Sequence, residues 1–179
     1  MLLPLRLEPF GPEHPRYLEG IAVYARTWGR DCETARAYFD SFALSPVQYP
    51  GWLGLLALEG ETVVGVGFGT RSQRGQWWYD AVEARLGPGH WALRNAWVLT
   101  ELAVRAESRR FGVGEQLLTA LLERQPCPRA LLSTQQTNLA AQRFYLRHGW
   151  QLLARDLRFC GGHTPFVIMG RELRPSPAS

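Results

Sequence analysis

The stretch ELAVRAESRRFGVGEQLL, residues 101–118, joins a strand-like run to a helix-like run through RRFGVG, six residues holding two arginines and two glycines. Upstream, AWVLTELAV (96–104) has the Trp, Val, Leu and Thr content of a buried strand. Downstream, VGEQLLTALLERQ places Val113, Leu117, Leu118, Leu121 and Leu122 on one helical face. A strand, a glycine turn and a helix N-terminus together present consecutive backbone N–H groups and the positive end of a helix dipole, a geometry suited to a pyrophosphate. Gly112 and Gly114 let the backbone come close to such a group, while Arg109 and Arg110 add permanent charge and bidentate donors. The turn lacks the Gly-Lys-Ser/Thr ending of a triphosphate loop and the GxGxxG pattern of a dinucleotide site. Taken alone, it is equally a plain connection between two elements.

Working outward, LRLEPF (5–10) alternates as a half-buried strand, and residues 14–29 and 32–43 carry apolar residues at helical spacing. WLGLLALEGETVVGVGFGTR (52–71) reads as two β runs joined at Glu59, Gly60 and Glu61. The glycines of its second run suggest bulging or close backbone approach. In 72–95, Trp78, Ala81, Val82 and Leu86 mark a short inserted helix that ends at Gly87, Pro88 and Gly89. RALLST (129–134) is the next strand, and NLAAQRFYLRHG the next helix, with Asn138 as N-cap and Gly149 as its stop. WQLLARDLRF and FVIMGREL complete the β runs, and the polar end of the chain is expected to be disordered.

With 179 residues, 46% of them hydrophobic and 20% charged, the chain is expected to form one domain over 1–174, with 175–179 as a tail. No apolar run approaches the roughly 20 residues of a membrane span, and the N-terminal MLLPLRLEPF is too interrupted for a secretory signal, so the expected location is cytoplasmic. Cys32, Cys127 and Cys160 are widely spaced and odd in number, which suggests neither a disulfide framework nor a metal site. Neither the carboxylates nor the histidines show metal-ligand spacing, so no metal is expected. All 20 of the Lys+Arg residues are arginines, and the net charge of +4 attracts anions without choosing among them. Nucleic-acid binding would rest on that charge alone and is not expected.

Two motifs together narrow the reading. RRFGVG (109–114) resembles the R/Q-x-x-G-x-G/A pyrophosphate loop of the GNAT N-acetyltransferase family, and NLAAQRFYLRHGW (138–150) resembles its N-x-x-A-x-x-F-Y-x-x-x-G-F segment, with Trp150 in place of the usual Phe. The likeness spans roughly residues 52–172 and is less specific before them. It implies an α/β fold: one mixed, mostly antiparallel sheet flanked by helices and splayed into a V between its fourth and fifth strands, with an extra helical insertion between strands three and four. It further implies acetyl-CoA as cosubstrate and a primary amine as acceptor. Backbone groups of Leu102, Ala103 and Val104 would then pair with pantetheine, and the amides of Phe111, Gly112, Val113, Gly114 and Glu115 would receive the pyrophosphate. Asn138 would bond pantetheine, and Arg143 or Arg147 the adenosine phosphates, unless those two arginines form only a solvated helix face.

Amide formation needs a neutral amine and a stabilised leaving thiolate. Glu101 stands where many family members carry a general base. Strand alternation puts it on one face with Ala103 and Arg105, so that the acid can meet a cleft while its neighbours meet the core. The alternative is a solvent-facing strand acid. A carboxyl near its ordinary value would be a weak base unless burial raised it. Tyr145 matches the family position that protonates the thiolate, or else packs its helix on the sheet, and His148 is a reserve candidate. For the acceptor, Trp77, Trp78 and Asp80 in the insertion and Trp28 and Asp31 in the early helices are candidate walls, with Tyr24, Tyr38, Tyr79, Glu83 and Trp91 beside them. The insertion's aromatic residues serve equally as packing or as a homodimer contact. A CoA-binding sensor without turnover is the alternative function.

Overall fold

The computed structural model describes residues 4–174. The expected tail at 175–179 lies outside them. In chain order the elements are β1 (Leu5–Pro9), α1 (Tyr17–Trp28), α2 (Cys32–Ala43), β2 (Leu53–Glu59), β3 (Thr62–Arg71), α3 (Trp77–Leu86), β4 (Ala96–Val104), α4 (Val113–Arg124), β5 (Arg129–Gln135), α5 (Leu139–Arg147), β6 (Gln151–Leu157) and β7 (Phe166–Glu172). The strands form one mixed sheet in the order β1-β2-β3-β4-β5-β7-β6. β1 with β2, β2 with β3, β5 with β7 and β6 with β7 are antiparallel, whereas β4 and β5 are parallel. The β4–β5 register runs Ala96↔Arg129, Trp97↔Ala130 and Val98↔Leu131. The chain divides into two compact units, one reaching to Thr70 and including Leu99–Pro126, the other comprising Arg71–Val98 and the residues from Cys127 onward. β4 changes unit just after its last registered pair with β5.

The first unit is built on an aromatic core that includes Phe10, Tyr17, Tyr24, Phe39, Phe42 and Phe68, contributed by β1's end, α1, α2 and β3. A register shift at Ala57/Leu58 pairs Leu58 with Val63 and Leu56 with Val66, so that these four residues share the aromatic face. The other face of β3 carries Gly65 and Gly67. A Cβ at Gly65 would lie 2.9 Å from Leu117 Cδ1, and one at Gly67 2.8 Å from Leu121 Cδ1. The glycines therefore let α4 lie directly on β3, and Gly67→Val is expected to cost roughly 1–3 kcal/mol of stability in urea unfolding.

Two element boundaries differ from the expectation. The helix expected over 14–29 begins only at Tyr17, because residues 11–16 form turns instead, with the His14 N–H bonded to the Gly11 carbonyl at 2.9 Å and the Tyr17 N–H to the His14 carbonyl at 3.0 Å. The strand expected to run through Phe159 stops at Leu157, where Asp156 adopts φ 57 and its N–H donates to Gln136 Oε1. Phe159 then leaves the sheet to meet Trp77, Trp78 and Phe166. In this second unit Val82, Leu93, Ala96, Val98, Leu131 and Ile168 belong to the core.

Candidate active site

Glu101 sits in the second half of β4, half-buried against the helical face of the first unit. The Tyr38 hydroxyl of α2 donates to its Oε1 at 3.0 Å. The Tyr38 ring lies against Tyr24 of α1, with centroids 5.6 Å apart and planes 17° from parallel. Burial pushes the Glu101 carboxyl up to about 7, against the opposing pull of the Tyr38 hydrogen bond and the Arg30 charge. Burial first, and the Glu101 charge second, hold Tyr24 up at about 12 and Tyr38 well above its ordinary value. Near neutrality, then, two protonated phenols and an arginine surround a carboxyl poised between its two forms.

The alternation along β4 is as expected, but the division of faces is not. Ala103, which shares Glu101's face, belongs to the aromatic core, whereas Leu102 on the other face lies near where a Cβ at Gly67 would stand. The acid therefore emerges from the edge of a packed core, and this is what makes it basic.

Beyond β4, a short turn over Ala106–Ser108 leads into the arginine-glycine loop. Arg110 and Gly112 take left-handed backbone angles, φ 69 and φ 80, and Gly112 is the N-cap of α4 with no side-chain cap of its own. A Cβ at Gly112 would meet only Gln116 Nε2, at 3.8 Å, so the glycine is favoured by its left-handed conformation rather than by crowding. Arg109 donates its Nε–H to the Val104 carbonyl at 3.1 Å, tying the loop to the end of β4. Arg109, Arg110 and Phe111 are exposed, while Val113 turns inward with Leu117, Leu118, Leu121 and Leu122. Gly114 and Glu115 fall in the first turn of α4, at the positive end of its dipole. Capped by glycine and flanked by exposed arginines, this N-terminus fits a pyrophosphate. A cavity of about 480 Å³ beside Gly112 along α4 is lined by Glu115 and Glu123, the wrong charge for that ligand. Leu102, Ala103 and Val104 lie on β4 beyond its registered pairs with β5.

In the second unit Asn138 caps α5, its Oδ1 accepting from the Ala141 N–H at 3.1 Å, so a pantetheine contact would fall to Nδ2. Tyr145 is buried, edge-on to Phe144 and to Trp150 at 5.2 and 5.5 Å. Trp150 thus takes up the packing position expected of a Phe. Arg143 is exposed on α5. His148 bonds through Nδ1 to the Phe144 carbonyl at 2.7 Å, a structural engagement at the helix end.

The acetyltransferase (GNAT) family model matches residues 24–150, from α1 through Trp150. The chain belongs to the GNAT acetyltransferase family. It is 31% identical over 126 residues to a GCN5-like protein acetyltransferase of Mycobacterium tuberculosis, an alignment covering 65% of this chain and 61% of that protein. The chain thus spans less than two thirds of that relative's length. Its fold is similar to that of the ribosomal-protein-S18-alanine N-acetyltransferase of Escherichia coli, with TM-score 0.65 and 13% identity over 98% of each chain. It is also similar to an aminoglycoside 6'-N-acetyltransferase solved with coenzyme A, with TM-score 0.68 and 16% identity over 97% of this chain and 99% of the other.

Other candidates in this GNAT protein have local work. Asp31 is the N-cap of α2, accepting from the Thr34 N–H at 2.8 Å and its hydroxyl at 2.7 Å. Asp80 accepts from the Gly75 N–H at 3.0 Å. Trp78 donates to Ser133 Oγ at 3.0 Å and packs on the second unit's core, as do Tyr79 and Trp91, and the Tyr79 hydroxyl bonds Glu83. The packing reading of the insertion therefore holds for these residues. Trp28 at 42% and Trp77 at 45% exposure remain open to a partner. Arg30 escapes sequence reading because nothing marks an arginine between two helices as special, and only the packing of α1 and α2 brings its charge to Glu101. Asp31, expected as an acceptor wall, is instead a cap, and the signal that could have found it is an Asp immediately before a helical run. Among the described residues no group of three or more His, Cys, Asp or Glu is placed to hold a metal, and no helix is long and apolar enough to cross a membrane.

Proposed function

We propose that the protein transfers an acetyl group from acetyl-CoA to a primary amine by direct attack, with Glu101 as general base and Tyr145 as proton donor. The observation that carries this reading is the Glu101 carboxyl, pushed up to about 7 on the strand that runs into the Gly112 loop. A base titrating near neutral pH matches an amine that must be deprotonated there. The amides of Phe111 to Glu115 and the Arg109 and Arg110 side chains hold the pyrophosphate, and the β4 backbone at Leu102–Val104 holds pantetheine, with Asn138 and Arg143 as further contacts.

In the reaction, Glu101 accepts a proton from the ammonium, directly or through water. The amine attacks the thioester carbonyl, the C–N bond forms, the C–S bond breaks, and nitrogen loses its second proton. Tyr145 gives a proton to the departing thiolate and is restored by the second proton lost from nitrogen, while Glu101 passes the first to solvent, so that one proton is released overall. Replacing Tyr145 with Phe keeps the packing on Phe144 and Trp150. Tyr145→Phe is expected to leave acetyl-CoA affinity unchanged and lower kcat on the order of 10-fold or more. Wild-type kinetics in that variant would reduce Tyr145 to a packing role.

Trp28 and Trp77, rather than Asp31 and Asp80, whose carboxylates already accept backbone N–H groups, are assigned to the acceptor. The two solved neighbours named above act on a protein alanine and on an aminoglycoside, so the acceptor is a small molecule or a protein amine. An acetyl-CoA-dependent thiol-release assay across amine classes tests the reading. Release with one class supports it, and CoA binding without release across all classes would favour a sensor instead.

A further inference from the structure

Resting on Glu101 as the base, we propose that Tyr38 is its positioning residue: its hydroxyl fixes Oε1 of Glu101 and leaves Oε2 as the atom that takes the substrate's proton. The hydroxyl is placed by the ring that carries it. That ring stacks on Tyr24 at 5.6 Å and meets Phe39 and Phe42 edge-on at 6.1 and 5.3 Å, so both helices and the core behind them define where the oxygen stands. A phenylalanine would fill the same space. A hydroxyl brought into such apolar surroundings costs free energy unless it is bonded, and its bond here is the one to Glu101 at 3.0 Å.

The consequence for the proton follows from the inventory of donors and acceptors. Tyr38 donates to Oε1 whether the carboxyl is ionised or neutral, because its own proton is held far more tightly than that of a free phenol. An arriving proton therefore goes to Oε2. The bond favours the ionised form of Glu101 and opposes the effect of burial, while Arg30, between α1 and α2, acts in the same direction through its charge. Tyr24 feels the Glu101 charge and, through its hydroxyl, Arg30, while its ring supports Tyr38 in the stack. Tyr24, Arg30 and Tyr38 are the titratable or charged groups facing the carboxylate from the elements packed on it.

The test follows the Glu101 side-chain carboxyl by 13C NMR through a pH titration, beside the pH dependence of kcat/KM, in the wild type and in Tyr38→Phe, Tyr24→Phe and Arg30→Gln. In Tyr38→Phe and in Arg30→Gln the NMR midpoint is expected to move above about 7, and the acidic limb of kcat/KM to move with it. Activity at pH 7 then falls several-fold, while KM for acetyl-CoA stays unchanged. Tyr24→Phe, which keeps the stack, is expected to move the midpoint less than Tyr38→Phe does. An unmoved or lowered midpoint in folded Tyr38→Phe overturns the proposal, because a merely structural tyrosine would not change the titration of Glu101. The NMR result judges Tyr38 even where turnover cannot. A wild type without turnover on any amine would overturn the acetyltransferase reading and, with it, the proton-accepting role given to Oε2.

Discussion

Glu101→Gln is expected to lose turnover on the order of 10²-fold at pH values where the acceptor is mostly ammonium, and less at pH values where the amine is already neutral. The glutamine keeps the shape of the side chain and a carbonyl oxygen for Tyr38, but it cannot accept a proton. In the wild type kcat/KM should rise through about 7 as Glu101 ionises, and in the variant that step should vanish, leaving only the titration of the amine itself. An unaltered pH-rate profile would remove Glu101 as the base. Stability should move the other way. The folded-state value of about 7 lies above the ordinary 4.5, so the native state binds the proton more tightly than the unfolded state does. Any stability derived from that proton is present below 4.5 and is lost as pH rises to about 7. At about 1.4 kcal/mol per pH unit, the cost of holding the ionised carboxyl in its buried site reaches roughly 3 kcal/mol above pH 7. Glu101→Gln should therefore be more stable than the wild type at pH 8, with the difference shrinking toward pH 5 in chemical denaturation. An active-site group that lowers stability while raising rate is the trade expected where function needs a desolvated charge.

Gly112→Asp should weaken acetyl-CoA binding at least 100-fold in calorimetric titration while the protein remains folded. Two terms act together against the pyrophosphate. The new carboxylate stands at the N-terminus of α4 beside exposed Arg109 and Arg110, where it repels the anion and competes for the same donors. The fold tolerates the change for separate reasons. A Cβ there has its first neighbour at 3.8 Å, and Asp enters the left-handed region more readily than most residues, which suits φ 80. A carboxylate at a helix N-terminus also favours the helix dipole, so the thermal midpoint should stay within a few degrees of wild type. Unchanged acetyl-CoA affinity in a folded Gly112→Asp protein would sink the assignment of this loop.

Much of the scaffold was legible because its signals are local. The strand of 96–104 is read from its Trp, Val, Leu and Thr content, the apolar face of α4 from helical periodicity, and the turn between them from its two glycines. Asn138 at the start of α5 and the glycine pair in β3 follow from the same kind of reasoning, a side chain that satisfies a helix end and a missing side chain that admits a neighbour. The end of β6 moved through a nonlocal bond, the Asp156 N–H engaging Gln136 across 20 residues.

The sequence by itself determined the order of elements, the arginine-glycine turn ahead of α4 and the placing of a carboxyl on β4, because each depends on residues within a few positions of one another. Only the tertiary structure decided what that carboxyl is. Tyr38 lies 63 positions away in sequence, and Tyr24 and Arg30 belong to α1 and to the turn after it, yet these groups and the aromatic core behind them set its proton affinity. Desolvation is a sum over everything packed around a group, so it exists only once distant segments have come together.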